Sequence, residues 1–465
     1  MRGKLQKIGF ICIGIVTGIF ISLNFSANAG KESVSALPIE ELRSFADVFN
    51  AIKQGYVEPV DDKTLINNAI SGMLSNLDPH SAYLDADSFK DLQVSTQGEF
   101  GGLGLEVGME DGFVKVVSPI EDTPAWRAGI KPGDLIVKLD DTPVKGLTLS
   151  DAVKKMRGKP KTDITLTIIR KGENKPIIAK LTREVIKVQS IKSKLVEPGY
   201  GYVRITQFQE GTANDLAKHL DKLYQDKENK GEPLRGLVLD LRNDPGGLLN
   251  SAIGVSAAFL PADSLVVSTD GRTDDAKRKY TASPDDYLRG HKGDFIKQLP
   301  AGVRDVPLIV LINGGSASAS EIVAGALQDH KRALILGTQS FGKGSVQTVL
   351  PLSANTAIKL TTARYFTPSG RSIQAKGITP DVIVEATPNG EAHEWLREAD
   401  LERHLVDKDQ SADKDSDKHA VKKNKPAKED LEEEIPKPIE FASKNDYQMN
   451  QALNLLKAWQ IMQKK

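Results

Sequence analysis

The sequence predicts an α/β protein with several domains. Two near-continuous apolar segments, residues 236–241 and 307–312, are each followed by a glycine-containing turn and a helical pattern. Such segments are typical of buried parallel strands in βα units. Between residues 99 and 183, shorter strand patterns alternate with turn signals, and amphipathic helices are predicted near both ends. A chain of 465 residues is long enough for two or three domains.

Residues 1–29 have the pattern of a secretory signal peptide. Three basic residues precede an apolar run at 8–23, and Ala27-Asn28-Ala29 follows it. This order predicts export with cleavage after Ala29, and therefore a periplasmic protein. A retained membrane anchor is the alternative, and it would leave the protein membrane-associated. The run is short for a membrane span, which favours cleavage.

Charge and cysteine content narrow the classes of function. The 62 basic and 62 acidic residues balance, so the composition gives no indication of nucleic-acid binding. The only cysteine, Cys12, lies in the predicted signal peptide, so the mature protein would have no disulfide or thiolate site. No pair of the seven histidines has metal-ligand spacing. We therefore expect neither a metal nor another cofactor.

Three structured regions are predicted in order along the chain. Residues 36–95 are predicted to be helical, with one helix from Ile39 to Ile52 and a second from Leu65 to Leu77, because apolar residues recur every three or four positions. Residues 96–185 are predicted to form short strands and one helix, from Ser150 to Met156, capped by its first serine. Residues 186–390 are predicted to form the α/β core.

The last 60 residues change composition. Residues 405–438 are rich in Asp, Lys, Glu, Ser and Pro, which predicts a disordered linker. Residues 439–465 are predicted to form an amphipathic helix with Met449, Ala452, Leu456, Trp459 and Met462 on one side. Such a helix docks on its own chain or on another subunit. Both this helix and the N-terminal helices are expected to offer exposed apolar stripes, which predicts a dimer or larger assembly through them.

A serine lies where a buried strand turns into a helix. Ser318 is surrounded by the small residues of Gly314-Gly315-Ser316-Ala317-Ser318-Ala319-Ser320, which would let a substrate backbone approach closely. The amide after a nucleophile in such a turn can point at an oxyanion. The alternative is that a serine here is only a helix N-cap. One of the three serines could be the nucleophile while another caps the helix.

A lysine follows 25 residues after this serine, in Phe341-Gly342-Lys343-Gly344. The loop nearly matches a phosphate-binding motif, but Gly344 replaces its hydroxyl residue and a strand pattern follows where that motif needs a helix. A lysine desolvated between glycines can instead act as a neutral base for a serine. Gln347, four positions on, is predicted on the same strand face and could hold the amine.

Two glycine-rich turns complete the candidate sites. Gly246-Gly247 lies between a buried strand and a helix, where backbone amides form an anion or oxyanion site unless the turn is purely structural. Gly102-Leu103-Gly104-Leu105 lies just before a predicted strand. Glycine-rich backbone at such a position can capture a terminal carboxylate, while the strand edge pairs with an extended peptide.

Residues 100–107 and 128–136 closely resemble a PDZ domain. Together with Ser-Ala-Ser-Ala-Ser-Glu-Ile, Phe-Gly-Lys-Gly-Ser-Val-Gln, Asp-Leu-Arg-Asn-Asp-Pro-Gly-Gly and residues 361–370, the order resembles the carboxyl-terminal processing peptidases, also called tail-specific proteases. The resemblance covers roughly residues 36–385. It implies a crotonase-like protease core with an inserted PDZ domain that senses the substrate tail and gates the site.

The resemblance also implies a role for each candidate residue. Ser318 would be the nucleophile, Lys343 the general base and Gln347 its orienting partner. Ala319 and the Gly246-Gly247 turn would supply the oxyanion donors, with the donating glycine left open.

We therefore expect an exported serine endopeptidase that cleaves near unstructured protein C-termini, with an adaptor protein as a further partner. A noncatalytic PDZ peptide-binding scaffold is the alternative. An acyl-CoA enzyme on a crotonase core is a third interpretation, and the signal peptide argues against it.

Overall fold

The computed structural model describes residues 37–226, 228, 232–289, 293–390, 395–406 and 441–463. The predicted signal peptide and nearly all of the predicted linker at 405–438 lie outside the described residues. The chain divides into two compact units, one up to Ala69 and one from Ile70 onward. Within the described ranges, no helix is long and apolar enough to cross a membrane.

Two helices open the described chain where the apolar periodicity predicts them. Helix α1 covers Ile39–Gly55 and α2 covers Asp62–Ser75, which ends two residues before the predicted Leu77. No residue of α1 is buried. Its apolar face, called the α1 face below, is exposed and consists of Ile39, Leu42, Phe45, Val48 and Ile52.

An antiparallel sheet forms the segment predicted at 96–185. Its strands are β3 (Leu105–Glu110), β4 (Phe113–Pro119), β5 (Leu135–Leu139), β6 (Thr142–Pro143), β7 (Asp163–Ile169) and β8 (Ile177–Thr182). The order is β3-β4-β5-β7-β8 with β6 beside β5, so β3 lies at an edge. Two helices accompany it, α4 (Pro124–Arg127) and α5 (Leu149–Met156). The cap of α5 is Thr148, which accepts a hydrogen bond from the Asp151 amide, and not the predicted Ser150.

A second sheet contains the predicted buried strands. It consists of β10 (Ile191–Glu197), β11 (Tyr200–Ile205), β12 (Gly236–Asp240), β15 (Leu308–Ile312), β16 (Leu334–Gly337) and β19 (Val382–Ile383), in that order. All neighbours are parallel except β10 and β11. Every residue of β12 and β15 is buried, because helices cover both faces. The helices on one face are α6 (Thr212–Tyr224), α7 (Leu249–Phe259) and α9 (Ala319–Asp329).

A third, antiparallel sheet corrects the prediction for residues 36–95. It contains β1 (Ala82–Leu84), β13 (Leu265–Gly271), β14 (Arg278–Thr281), β17 (Ser345–Pro351) and β18 (Ala357–Phe366). Strand β1 pairs with β18, so the region predicted to be helical contributes a strand to the core. Three residues are too few to show a period of two. The segment from β3 to β8 is therefore inserted between β1 and the rest of the core.

Shorter elements connect these layers. They are α3 (Ala86–Gln97), the strand pair β2 (Glu99–Gly102) and β9 (Glu184–Lys187), α8 (Pro284–Tyr287), and 3-10 turns at Asp274–Ala276, Phe295–Gln298 and Glu398–Asp400. Strands β2 and β9 pair with each other antiparallel, at the base of the inserted segment.

The final helix, α10 (Tyr447–Gln463), packs on its own chain. Met449, Ala452 and Leu456 are buried against the face of the parallel sheet opposite α6, α7 and α9. Only the end of the predicted stripe, Trp459 and Met462, stays exposed. The expectation that this helix offers an exposed apolar stripe for assembly is therefore wrong for most of its length. An amphipathic pattern shows that a face is buried, but not by which surface.

Candidate active site

The turn that carries Ser318 joins β15 to α9. Ser318 has φ 54° and ψ −109°, a region that residues other than glycine rarely occupy. The residue is also the N-cap of α9, so the serine predicted to be the nucleophile is itself the capping residue. A strained strand-to-helix turn of this kind presents a serine side chain at the tip of the turn.

The neighbouring serines anchor the turn. The Ser316 hydroxyl donates to the carbonyl of Leu241 at 2.8 Å, and the Ser320 hydroxyl donates to the carbonyl of Asp244 at 3.0 Å. The Ala317 amide also donates to the Asp244 carbonyl, at 3.0 Å. These bonds fix the serine turn against the loop that follows β12. That loop contains the predicted oxyanion glycines.

Steric constraints require glycine at both positions of that turn. A Cβ on Gly246 would lie 2.8 Å from the Ala319 amide nitrogen and 2.9 Å from the Ser318 Cβ. A Cβ on Gly247 would lie 2.1 Å from the carbonyl oxygen of Phe208. Both residues have positive φ, at 95° and 147°. The turn therefore lies directly against Ser318, as an oxyanion site requires.

The two glycine amides differ in their hydrogen bonding. The Gly246 amide donates to the Asp244 carboxyl group at 2.8 Å. Among the hydrogen bonds within the described chain, none has the amide of Gly247 or of Ala319 as its donor. Backbone amides without an internal acceptor at these two positions are suited to donate hydrogen bonds to an anionic ligand.

The loop that carries Lys343 runs between β16 and β17. A strand, not a helix, follows it, so the rejection of the phosphate-loop interpretation is confirmed. A Cβ on Gly344 would lie 2.3 Å from the Gln374 nitrogen, which explains why the loop has a glycine there. The Gly344 amide donates to the Gln374 side chain at 3.1 Å.

Glu321 joins the serine turn to the lysine loop. Its Oε2 atom accepts hydrogen bonds from the amide of Ser318 at 2.8 Å and from the amide of Lys343 at 2.9 Å. Its Oε1 atom accepts from the Ser340 hydroxyl at 2.6 Å and from the Gly342 amide at 2.7 Å. The backbones of the predicted nucleophile and base therefore share one acceptor atom.

Sequence reasoning missed this role of Glu321. The signal for it was the Ser-x-x-Glu spacing from Ser318 to Glu321, the pattern of a helix capping box. The carboxyl group is fully buried, and burial raises its pKa to about 7, while its four hydrogen bonds oppose that rise. Four donors on two oxygens suit the ionised form.

The surroundings of Lys343 favour a neutral amine. Burial lowers the pKa of Lys343 below its usual value of 10.5, and the positive charge of Lys359 lowers it further. The carboxyl groups of Glu398, Glu321 and Asp78 act in the opposite direction. A lowered pKa makes a lysine a better general base near neutral pH.

The hydrogen bonds of Gln347 and the strand register beside it differ from what its spacing from Lys343 indicates. Its side chain donates to the hydroxyl groups of Ser345 at 3.0 Å and Thr361 at 3.1 Å. Strand β17 begins after Lys343 and shifts register between Val346 and Gln347. The interval of four residues therefore does not itself place both side chains on one face. A bond from Gln347 to the Lys343 amine stays a prediction.

The predicted peptide-binding residues connect β2 to β3. Gly102 ends β2, Leu103 is buried, and Leu105 begins the edge strand β3. Gly104 has φ 77°, and a Cβ there would lie 2.3 Å from Thr123. Within the described chain, β3 pairs with β4 on one side only. A glycine loop that leads into a free strand edge is the arrangement that binds extended peptides.

No group of three or more His, Cys, Asp or Glu side chains among the described residues is arranged to hold a metal ion.

Three regions of the chain match known protein families. Residues 199–384 match Peptidase family S41, residues 101–181 match the PDZ domain, and residues 22–88 match the N-terminal domain of the activating protease CtpB. The carboxy-terminal-processing protease of Bartonella bacilliformis is 45% identical over 451 residues, which cover 96% of this chain and 95% of that protein. The carboxy-terminal processing protease CtpA of Bacillus subtilis is 32% identical, over 83% of this chain and 78% of that protein.

Among solved structures, the photosystem II D1 C-terminal processing protease is 29% identical, and the match covers 78% of this chain and 99% of that one. Its TM-score is 0.41.

The fold and the relatives define a serine-type endopeptidase with a PDZ domain. The chain belongs to peptidase family S41, in the group of the carboxy-terminal processing peptidases. The predicted α/β protease core with a PDZ domain and helical ends is confirmed, and the noncatalytic scaffold is not favoured.

Proposed function

We propose that this endopeptidase hydrolyses peptide bonds near unstructured protein C-termini through Ser318 and Lys343. The single observation that carries the proposal is the shared acceptor, Glu321 Oε2, which holds the amides of both residues. A serine at a strained turn and a lysine of lowered pKa, fixed to one atom, form a nucleophile and a base.

The chemistry follows from these positions. Lys343 takes the proton from the Ser318 hydroxyl as its oxygen attacks the scissile carbonyl carbon. The amides of Ala319 and Gly247 stabilise the resulting oxyanion, since the Gly246 amide already donates to Asp244. The Lys343 ammonium then donates its proton to the leaving amine, and an acyl ester on Ser318 remains. Lys343 then takes a proton from a water molecule as the water oxygen attacks this ester, and returns that proton to the Ser318 oxygen as the carboxylic acid product is released.

The PDZ domain is proposed to select the substrate tail. Amides of the loop Gly102-Leu103-Gly104-Leu105 bind the terminal carboxylate, and the free edge of β3 pairs with the residues before it. While the tail is bound there, the residues that precede it in an unstructured substrate can reach Ser318. Substrate binding at the PDZ domain gates the site, and an adaptor protein presents some substrates.

The pattern at 1–29 supports export to the periplasm with cleavage after Ala29. A membrane-associated form is the alternative.

The test measures cleavage of an unfolded protein substrate and of the same substrate with an amidated C-terminus. We expect Ser318→Ala and Lys343→Ala to lose activity by about 10³-fold or more, because nucleophile and base act as a unit. Lys343→Arg should also be inactive, since a guanidinium cannot accept a proton near neutral pH. Amidation should lower kcat/KM of the unaltered enzyme about tenfold.

Lys297→Ala, at an exposed lysine of the same core, is the matched control and should keep full activity. Undiminished cleavage by either alanine variant would refute the dyad. Equal rates on the two substrates would refute tail recognition.

A further inference from the structure

A segment beyond the matched protease core reaches the active site. Residues 395–401 follow the family match, which ends at 384. Within this segment the Glu398 side chain is only 1% exposed. Its Oε2 atom lies 2.7 Å from the Nε2 atom of His80, and its Oε1 atom accepts a hydrogen bond from Gln374 at 2.9 Å. A buried carboxylate with this many partners holds a fixed position.

Glu398 contacts both ends of the lysine loop. Its backbone amide donates to the carbonyl of Phe341 at 3.1 Å. Gln374, bonded to the Glu398 carboxylate, accepts from the Gly344 amide at 3.1 Å. Phe341 and Gly344 flank the loop that carries Lys343. Glu398 therefore anchors the two residues that flank this loop, whereas Glu321 accepts hydrogen bonds from the amides of Gly342 and Lys343 within it.

Four charged groups from four parts of the chain act electrostatically on Lys343. They are Glu398 in the segment, Glu321 in α9, Asp78 before β1, and Lys359 in β18. Among the three carboxyl groups, Glu398 contributes most to raising the pKa of Lys343. His80 faces Glu398 from its other side and lowers the pKa of that carboxyl group, as do Gln374 and Lys343 itself.

We propose that Glu398 is a positioning residue of this active site, which holds the lysine loop and sets the charge balance at the Lys343 amine. The proposal rests on the proposed role of Lys343 as general base. A negative charge near the amine favours the ammonium form, so Glu398 moderates the base strength of Lys343. His80, from the chain before the PDZ domain, holds Glu398 in place.

The test compares kcat/KM against pH for Glu398→Gln and Glu398→Asp. Glutamine keeps the shape of the side chain and removes its charge, so the ammonium form of Lys343 is less strongly favoured. The acid limb of the profile of kcat/KM against pH should therefore move down by roughly 1 pH unit. Aspartate keeps the charge but is one methylene shorter. It should lower kcat while leaving the acid limb in place. Glu402→Gln, at an exposed acid just after this segment, is the control for long-range charge and should change neither kcat nor the acid limb.

The outcomes separate this inference from the proposed function. An acid limb that moves only in Glu398→Gln supports the inference. A uniform loss of rate in both Glu398 variants, with no movement of the limb, shows a merely structural role and overturns it. If Lys343→Ala, assayed in parallel, stays active, the base itself is misassigned. If Lys343→Ala is inactive and the limb does not move, only the role of Glu398 fails.

Discussion

At the scale of single residues, one acid outside the proposed nucleophile and base joins the two loops of the candidate site. Glu321 is fully buried and accepts four hydrogen bonds, two of them from the amides of Ser318 and Lys343. Burial of an ionised carboxylate is costly unless each oxygen is well bonded. Here the bonds come from the two loops that have to be held together.

Replacing this acid tests its role as a positioning group. Glu321→Gln keeps the volume but leaves one oxygen, so two of the four donors lose their acceptor. We expect kcat to fall by about 10²-fold with a smaller change in KM, because small displacements of reacting groups are costly. Steady-state kinetics on the unfolded substrate measure this. Glu402→Gln serves as the exposed control. A kcat within twofold of the unaltered enzyme would contradict the prediction.

The pH dependence has a definite sign. With a pKa raised to about 7, Glu321 takes up a proton as the pH falls below neutrality and loses acceptor capacity. Lys343 also becomes protonated, to the ammonium form, as the pH falls. Both changes lower activity on acidification.

Candidate site residues could be predicted from the sequence where they lie in distinctive local patterns. Ser318 and Lys343 were identified because small residues and glycines surround them. Glu398 and His80 were not, since 318 residues separate them and no local spacing links them. Glu321 had a local signal, but the spacing indicated only a helix cap. Its bonds to Gly342 and Lys343 depend on tertiary structure.

At the scale of elements, the C-terminal helix is linked to the strand that leads to the predicted oxyanion turn. Arg242, just after β12, donates to both carboxylate oxygens of Asp240 and to both of Asp446, at the start of α10. The Arg242 and Asp446 side chains are 2% and 8% exposed. The oxyanion glycines follow Arg242 by four and five residues. The apolar pattern of α10 predicted a helix, whereas this ion pair needed the tertiary fold.

Breaking this link should be costly. In Asp446→Ala, the buried Arg242 loses one of its two carboxylate partners, which we expect to lower the free energy of unfolding by about 3 kcal/mol. Urea denaturation measures the change. Asn445→Ala, at the exposed neighbouring position, should stay within about 0.5 kcal/mol of the unaltered protein. Equal stability of the two variants would show that the pair contributes nothing.

At the scale of the whole molecule, the α1 face is the surface we propose for assembly. It is exposed and apolar along the helix, in contrast to the buried face of α10. Contiguous exposed apolar surface of this kind is typical of interaction sites. We therefore propose that the homo-oligomer expected from the sequence uses α1 and not the docked part of α10.

Charges placed on the α1 face should dissociate this assembly. We expect Leu42→Glu with Phe45→Glu to reduce the molar mass in light scattering to that of one chain, because burying two carboxylates is unfavourable. Asn50→Glu with Gln54→Glu adds the same charge to α1 outside that face and should leave the mass unchanged. An unchanged mass in the first variant would exclude the α1 face from assembly.

The oxygen atom that Ser318 and Lys343 share has a consequence for how this enzyme can evolve. A change that redirects the lysine loop withdraws a donor from Glu321 and so disturbs the serine turn as well. The two loops are distant in sequence but are coupled through their shared hydrogen bonds to Glu321. Each constrains the substitutions that the other can accept, so we expect the effects of changes in the two loops to be non-additive.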